Sequence, residues 1–223
     1  MKKVIITGAT GMVGKGVLLE CLDHESIDEV FVIGRNTVDV DHKKLKQLVH
    51  KDFSDFTTVK DKLEGYNGCF YCLGISAAGL NEDQYKKITY DYTMALAKTL
   101  FDNNPDMTFN YVSGQGTDSS EKGRVMWARV KGKTENDILK LGFKQAFAFR
   151  PGMIIPLKGI KSRTKSYQFL YDYFMWLVQS VKVISPNSVV NTTQIGLAMI
   201  NTMLNGYEKK ILRPKDIIIL SEK

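Results

Sequence analysis

The chain is short of cysteine and histidine and has no clean membrane-length apolar run, and each shortage narrows what it does. Its three cysteines, Cys21, Cys69 and Cys72, cannot all pair with one another. Cys69-x-x-Cys72 has the spacing of a redox or metal pair. However, GCFYCLG reads as a buried strand, in which residues three apart face opposite sides, and no second pair completes a zinc site. Buried thiols in a reducing cytosol are the reading that fits. His24, His42 and His50 are scattered, so no metal-ligand cluster is expected. No signal peptide is read, because Lys2 and Lys3 lead straight into a strand. Internal repeats and low-complexity tracts are also missing. The net charge is +7, yet no nucleic-acid motif accompanies it. A solvated basic surface with a pocket for an anionic cofactor is preferred to nucleic-acid binding.

What the chain does have is concentrated at its start. Lys2 to Leu22 reads KKVIITGATGMVGKGVLLECL. Val4, Ile5 and Ile6 form a β-branched run, as a strand buried on both faces requires. Thr7 to Gly11 break it. From Met12 the period changes, and Met12, Val13, Val17, Leu18, Cys21 and Leu22 recur at helical spacing. Strand, glycine turn and helix follow one another without a linker. A backbone without Cβ can bend sharply and admit a pyrophosphate, and the helix start adds unpaired amides and a positive dipole end. A structural tight turn is the plainer alternative; the place after a strand and before a helix favours dinucleotide binding. The Gly-x-x-Gly-x-x-Gly spacing resembles the fingerprint of the short-chain dehydrogenase/reductase superfamily, in its extended and atypical branches. That resemblance implies a cofactor held by Gly8, Thr10, Gly11, Met12, Val13 and Gly14.

Glu29 to Ile33 reads as a second strand ending in Gly34-Arg35-Asn36. Arg35 stands where an acidic residue would hold the ribose 2′-OH of NAD and an arginine accommodates the 2′-phosphate of NADP. A guanidinium grips a phosphate with two hydrogen bonds and stacks on adenine. NADP is therefore expected rather than NAD, with an exposed surface arginine as the alternative. Lys46 to His50 reads as a third strand. Asp52 and Phe53 follow, and the resemblance sets them beside the adenine. Phe56 to Leu63 reads as a short helix and Gly68 to Leu73 as a fourth strand. Leu73 and Gly74 open a loop of small residues that suits either a passing cofactor or a plain turn. Helices are expected over Glu82 to Asn103, Val125 to Leu141 and Gln194 to Asn205. Strands are expected over Met107 to Val112, Gln145 to Phe149 and, closing the chain, Asp216 to Leu220. This alternation implies an α/β fold: a single doubly wound parallel sheet with helices on both faces. The chain reads as one Rossmann domain, 1–223, with 153–223 as a small substrate-side segment. The loops after strands one, four and five converge at the strand-order reversal, where such sheets bind ligands.

GATGMVG, Gly34-Arg35, YVSGQG, VKGKTE and RPGM fall in the order seen in atypical short-chain dehydrogenases. The look is closest to small NADP-binding members related to NmrA regulators and nucleoside-sugar epimerases. Nearly the whole chain is covered. The resemblance implies that Ser113 orients a substrate carbonyl and that Lys131 holds the nicotinamide ribose. It also implies that Arg150, Pro151, Gly152 and Met153 form the turn approaching the nicotinamide amide. Active members carry a tyrosine four residues before the lysine. Here that residue is Trp127, whose indole donates a hydrogen bond but releases no proton at accessible pH. Tyr71, Tyr90, Tyr92 and Tyr111 are the candidate substitutes, and Tyr90 and Tyr92, which follow the fourth strand's loop, are the better placed. A core Trp127 and a solvated Lys131 are the plainer readings. The expected function is NADP(H)-dependent reduction or epimerisation of a small carbonyl or nucleotide-sugar substrate, by a cytoplasmic monomer or homodimer. The alternative is a non-catalytic NADP(H)-sensing regulatory or interaction protein. The basic, aromatic segment 158–184, with Lys158, Lys161, Arg163 and Lys165, reads as a lid or packing helix ahead of a membrane-surface contact or dimer surface.

Overall fold

A computed structural model describes residues 2–160 and 188–223. β1 is Lys3–Thr7, α1 Met12–Asp23, β2 Glu29–Gly34, β3 Leu45–Val49 and β4 Gly68–Tyr71. α2 (Glu82–Lys86) runs through a π-helical turn (Lys87–Asp91) into α3, Tyr92–Asn103. β5 (Thr108–Val112), α4 (Met126–Lys140), β6 (Gln145–Phe149) and β7 (Met153–Ile155) follow. Beyond residue 187 come β8 (Val189–Asn191), α5 (Thr192–Asn205), β9 (Ile211–Leu212) and α6 (Pro214–Ser221). The aromatic stretch of the 158–184 segment, with Lys161, Arg163 and Lys165, lies outside the described residues.

Seven strands make one parallel sheet in the order β3-β2-β1-β4-β5-β6-β9. The period-two geometry of β1 sends Val4 and Ile6 to a core shared with α1, α5 and α6, while Ile5 joins the opposite core with α3 and α4. Both faces are covered, so β1 reads as a continuous apolar run. Each fully buried isoleucine there contributes about 1.5–3 kcal/mol. Strand order reverses between β1 and β4, and that junction positions the site. Cys69 sits in one core and Cys72 packs against the other; all three thiols are free.

Four expectations change. The fourth strand stops at Tyr71. The segment Phe56 to Leu63 is a 3-10 helix over Thr57–Leu63. The long helix expected over Glu82 to Asn103 is interrupted by the π turn. Its buried residues Tyr85, Thr89 and Thr93 are four apart, wider than the 3.6 of an α-helix, and a wider turn keeps all three facing the sheet. The strand expected over Asp216 to Leu220 is part of helix α6. Pro214 occupies its first turn, and the Asp216 carboxylate accepts from the Arg213 amide at 3.1 Å. Ile217 and Leu220, three apart, are buried while Ile219 is 39% exposed. A run of isoleucines hides its own period, and here the proline and the cap decide it. The edge strand is β9 instead, and the small parallel pair β7–β8 is an addition.

The chain ahead of β4 is pinned by one buried side chain. Asn104 Oδ1 accepts from the amides of Gly65 at 2.7 Å and Tyr66 at 3.1 Å, and its Nδ2 donates to the Leu63 carbonyl at 2.7 Å. Asn104→Ala strips three backbone groups of their partner. Urea unfolding is expected to show a loss of about 2–4 kcal/mol, against under about 0.5 kcal/mol for Lys98→Ala on the exposed face of α3.

Candidate functional site

The first turn is set by backbone-to-backbone contact. Gly8 has φ +69°, and a Cβ there would lie 2.5 Å from the Cys72 carbonyl oxygen. A Cβ on Gly14 would lie 2.2 Å from the Gly8 carbonyl oxygen. The turn is thus wedged between the exit of β4 and the start of α1, and the Gly11 amide closes it onto Gly8 O at 2.8 Å. No side chain caps α1, and its first turn holds no acidic residue. Its leading amides have no carboxylate in their own turn to repel an anion. Thr10, Met12 and Val13 are half-buried along this rim. A linked diphosphate fits such a cradle in charge.

Arg35 is exposed directly after β2, the strand paired with β1. It makes no ion pair with another described residue. Asp52 is exposed; the Ser54 amide and hydroxyl hold its carboxyl below the usual range. Phe53 is buried, edge-on to Phe56 with ring centres 5.5 Å apart, so its ring is part of the core. Leu73 adjoins the Gly8 turn through its amide, and Gly74 is exposed in the loop beyond.

At the other end lies a cleft of about 540 Å³, lined by Val13, Val112, Ser113, Gly114, Gln115, Lys131, Pro151, Gly152 and Ile154. The loop after β5 is stitched to the turn after β6. Ser113 donates its amide at 2.9 Å and its hydroxyl at 3.1 Å to Phe149 O, and the Gln115 amide donates to Pro151 O at 2.9 Å. To serve a substrate carbonyl, the Ser113 hydroxyl must rotate off Phe149. Lys131 Nζ donates to the Ser113 carbonyl. Burial lowers its pKa to about 8, with Glu135 opposing that shift. Loop and helix meet closely: a Cβ on Gly132 would lie 1.8 Å from Asp118 O.

The structure separates other candidates from this cleft. Trp127 packs its ring edge beside Gly116. Tyr90 donates to Asp137 at 2.7 Å and lines a separate hollow with Glu82, Lys86 and Lys133. Tyr92 meets Phe53, with ring centres 6.2 Å apart. Neither tyrosine lines the cleft, because the π turn sends Tyr90 towards α4. Met153 does not line it either and pairs with Val189 in the small sheet. Arg150 points its guanidinium to Glu135, with Nε 3.0 Å from Oε1 and 3.2 Å from Oε2, and Nη2 also reaches Glu135 and Ser119. Only the Pro151 and Gly152 part of that turn reaches the cleft. Sequence reasoning passed over Gln115, Val112, Ile154 and Glu135; the carboxylate four residues after Lys131 was the available sign. Burial pushes the Cys69 thiol well up and Cys72 to about 12, so neither is a ready thiolate. Among the described residues no cluster is placed to hold a metal ion, and no helix is long and apolar enough to cross a membrane.

Residues 4–135 match the model of the NAD dependent epimerase/dehydratase family. The chain is 28% identical over 156 residues to Protein HTATIP2 of Rattus norvegicus, covering 69% of this chain and 63% of that protein. It is 29% identical over 160 residues to Protein fmp52-1, mitochondrial, of Aspergillus terreus, covering 69% of this chain and 67% of that one. The chain therefore spans about two thirds of these relatives. A solved UDP-glucose 4-epimerase superposes with a TM-score of 0.69 over 98% of this chain and 80% of its own, at 15% identity. That likeness is one of fold.

Glu135 has no side-chain exposure and Arg150 has 12%. Arg150→Met leaves a buried carboxylate unpaired, and urea unfolding is expected to show a loss of about 3–5 kcal/mol. Arg150→Met combined with Glu135→Leu is expected to recover a large part of that loss.

Proposed function

We propose, for a chain that belongs to the NAD dependent epimerase/dehydratase family, that it binds NADP(H) and reduces or epimerises a small carbonyl or nucleotide-sugar substrate. The glycine cradle from Gly8 to Gly14 would hold the diphosphate and Arg35 the 2′-phosphate. Lys131 would hold the nicotinamide ribose, and the Pro151-Gly152 backbone would face the nicotinamide. Bound as NADPH, the cofactor supplies a hydride to a carbonyl carbon. The chain's own part is to bind, to exclude water with Val13, Val112 and Ile154, and to orient the carbonyl through Ser113. The observation that carries the cofactor choice is Arg35, exposed and without an ion pair among the described residues, one strand from the phosphate cradle.

The segment 153–223 is read as the substrate side, since Ile154 already lines the cleft. A monomer or homodimer is sufficient for this reading. Cytosolic residence is read from the free thiols; the fungal relative carries "mitochondrial" in its name, and fractionation of tagged full-length protein separates the two. A second reading, a non-catalytic NADP(H) sensor, is favoured by Trp127 at the usual tyrosine position. Calorimetric binding of NADPH without loss of its absorbance against an aldehyde and ketone panel would select it.

Cofactor choice has a direct test. Arg35→Asp is expected to weaken NADPH by about ten- to a hundredfold, the worth of a charge-assisted phosphate contact. NADH should change by less than about threefold. Equal NADPH affinity before and after would remove Arg35 from the site.

A further inference from the structure

We propose that the Lys131 ammonium is the proton donor of the cleft, delivering its proton to the oxygen of a bound carbonyl. The proposal rests on the reductase reading above and extends it to the proton that the reaction needs. Among the described residues that line the cleft, Val13, Val112, Gly114, Pro151, Gly152 and Ile154 carry no proton to exchange. Gln115 is an amide, and Ser113 is an alcohol already donating to Phe149 O. Of these described residues Lys131 alone titrates. Its Nζ is held at the cleft wall by the Ser113 carbonyl, so the ammonium and the Ser113 side chain approach the same space. No described tyrosine lines the cleft: Tyr90 is bonded to Asp137, while Tyr71, Tyr85 and Tyr111 are fully buried. Trp127 has a ring packed on Gly116 and an N–H that does not ionise.

The charged surroundings of Lys131 suit a donor. Glu135 lies one turn along its own helix, and Arg150, from the turn after β6, takes that carboxylate. From β5 Lys131 meets a neutral carbonyl, with Tyr111 of the same strand buried near Glu135. With Glu135 committed to Arg150, burial outweighs attraction, and the ammonium gives up its proton near pH 8. A donor is most useful when its pKa is close to the working pH. The balance is complete. Carbonyl carbon gains the hydride of a reduced nicotinamide, which is oxidised. One N–H bond of Lys131 breaks, one O–H bond forms, and the neutral amine regains a proton from water.

Two measurements test this, one of them independent of turnover. Limited acetylation of the full chain at a series of pH values, read by peptide mass spectrometry, gives the titration midpoint of each lysine. Lys131 is expected near 8, well below the ordinary lysine value of about 10.4. A Lys131 midpoint at that ordinary value overturns the proposal. The second measurement follows NADPH oxidation against 9,10-phenanthrenequinone and simple aldehydes. Arginine keeps the charge but releases no proton. Lys131→Arg should therefore bind NADPH within about threefold of wild type yet lose turnover by about a hundredfold or more. Wild-type turnover should be full at low pH and fall as pH rises through about 8. A Lys131→Arg protein that keeps its turnover overturns the proposal, as does a wild-type chain that binds NADPH and reduces none of the probes. A wild-type chain that binds no NADPH removes the reductase reading itself, and calorimetry shows that separately.

Discussion

The structure depends on a contact between pieces of main chain. Where strand order reverses, the turn after β1 lies against the exit of β4 on one side and the start of α1 on the other. No side chain is present at either contact, and none fits: a Cβ at Gly8 or Gly14 would come within 2.5 Å of a carbonyl oxygen. Interiors are close-packed and yield little, so the amides at the start of α1 are fixed by strand pairing rather than by flexible groups. The cradle is anchored because β1 has both faces in a core. Sheet packing and turn geometry are in this sense one arrangement.

A second constraint sits where α4 meets the last turns of the sheet. The buried Glu135–Arg150 pair binds α4 to the turn after β6, and the Lys131–Ser113 contact binds the same helix to the loop after β5. A buried ion pair is weak as a source of net stability, because desolvation offsets much of the attraction. Its effect here is to fix where two cleft walls meet and to neutralise the carboxylate nearest Lys131. Burial sets the electrostatic state of that lysine, with Glu135 one turn away opposing it.

Much of this was legible in the sequence. The Val4-Ile5-Ile6 run, the glycine spacing and the change to helical period at Met12 specified β1, the turn and α1, because all three signals are local. The parallel sheet followed from the alternation of strands and helices. Other features were not local. The isoleucines from Ile217 to Ile219 carry no visible period, and only Pro214 with the Asp216 cap makes them helical. The π turn answers a four-residue burial spacing that becomes apparent only against the sheet. Arg150 reads as a cofactor residue in the RPGM motif, yet its partner is a carboxylate fifteen residues earlier on α4. The pairing of distant charges depends on which helix covers which strand, and no single stretch of chain contains that.

The account stands most directly on where a nicotinamide nucleotide lies. A crystal of the full chain grown with NADPH is the decisive measurement. The account predicts a diphosphate within hydrogen-bond distance of the α1 amides at Met12 and Val13, with the adenosine phosphate on Arg35. Saturating NADPH bound elsewhere on the fold, with the glycine turn bare, would contradict it.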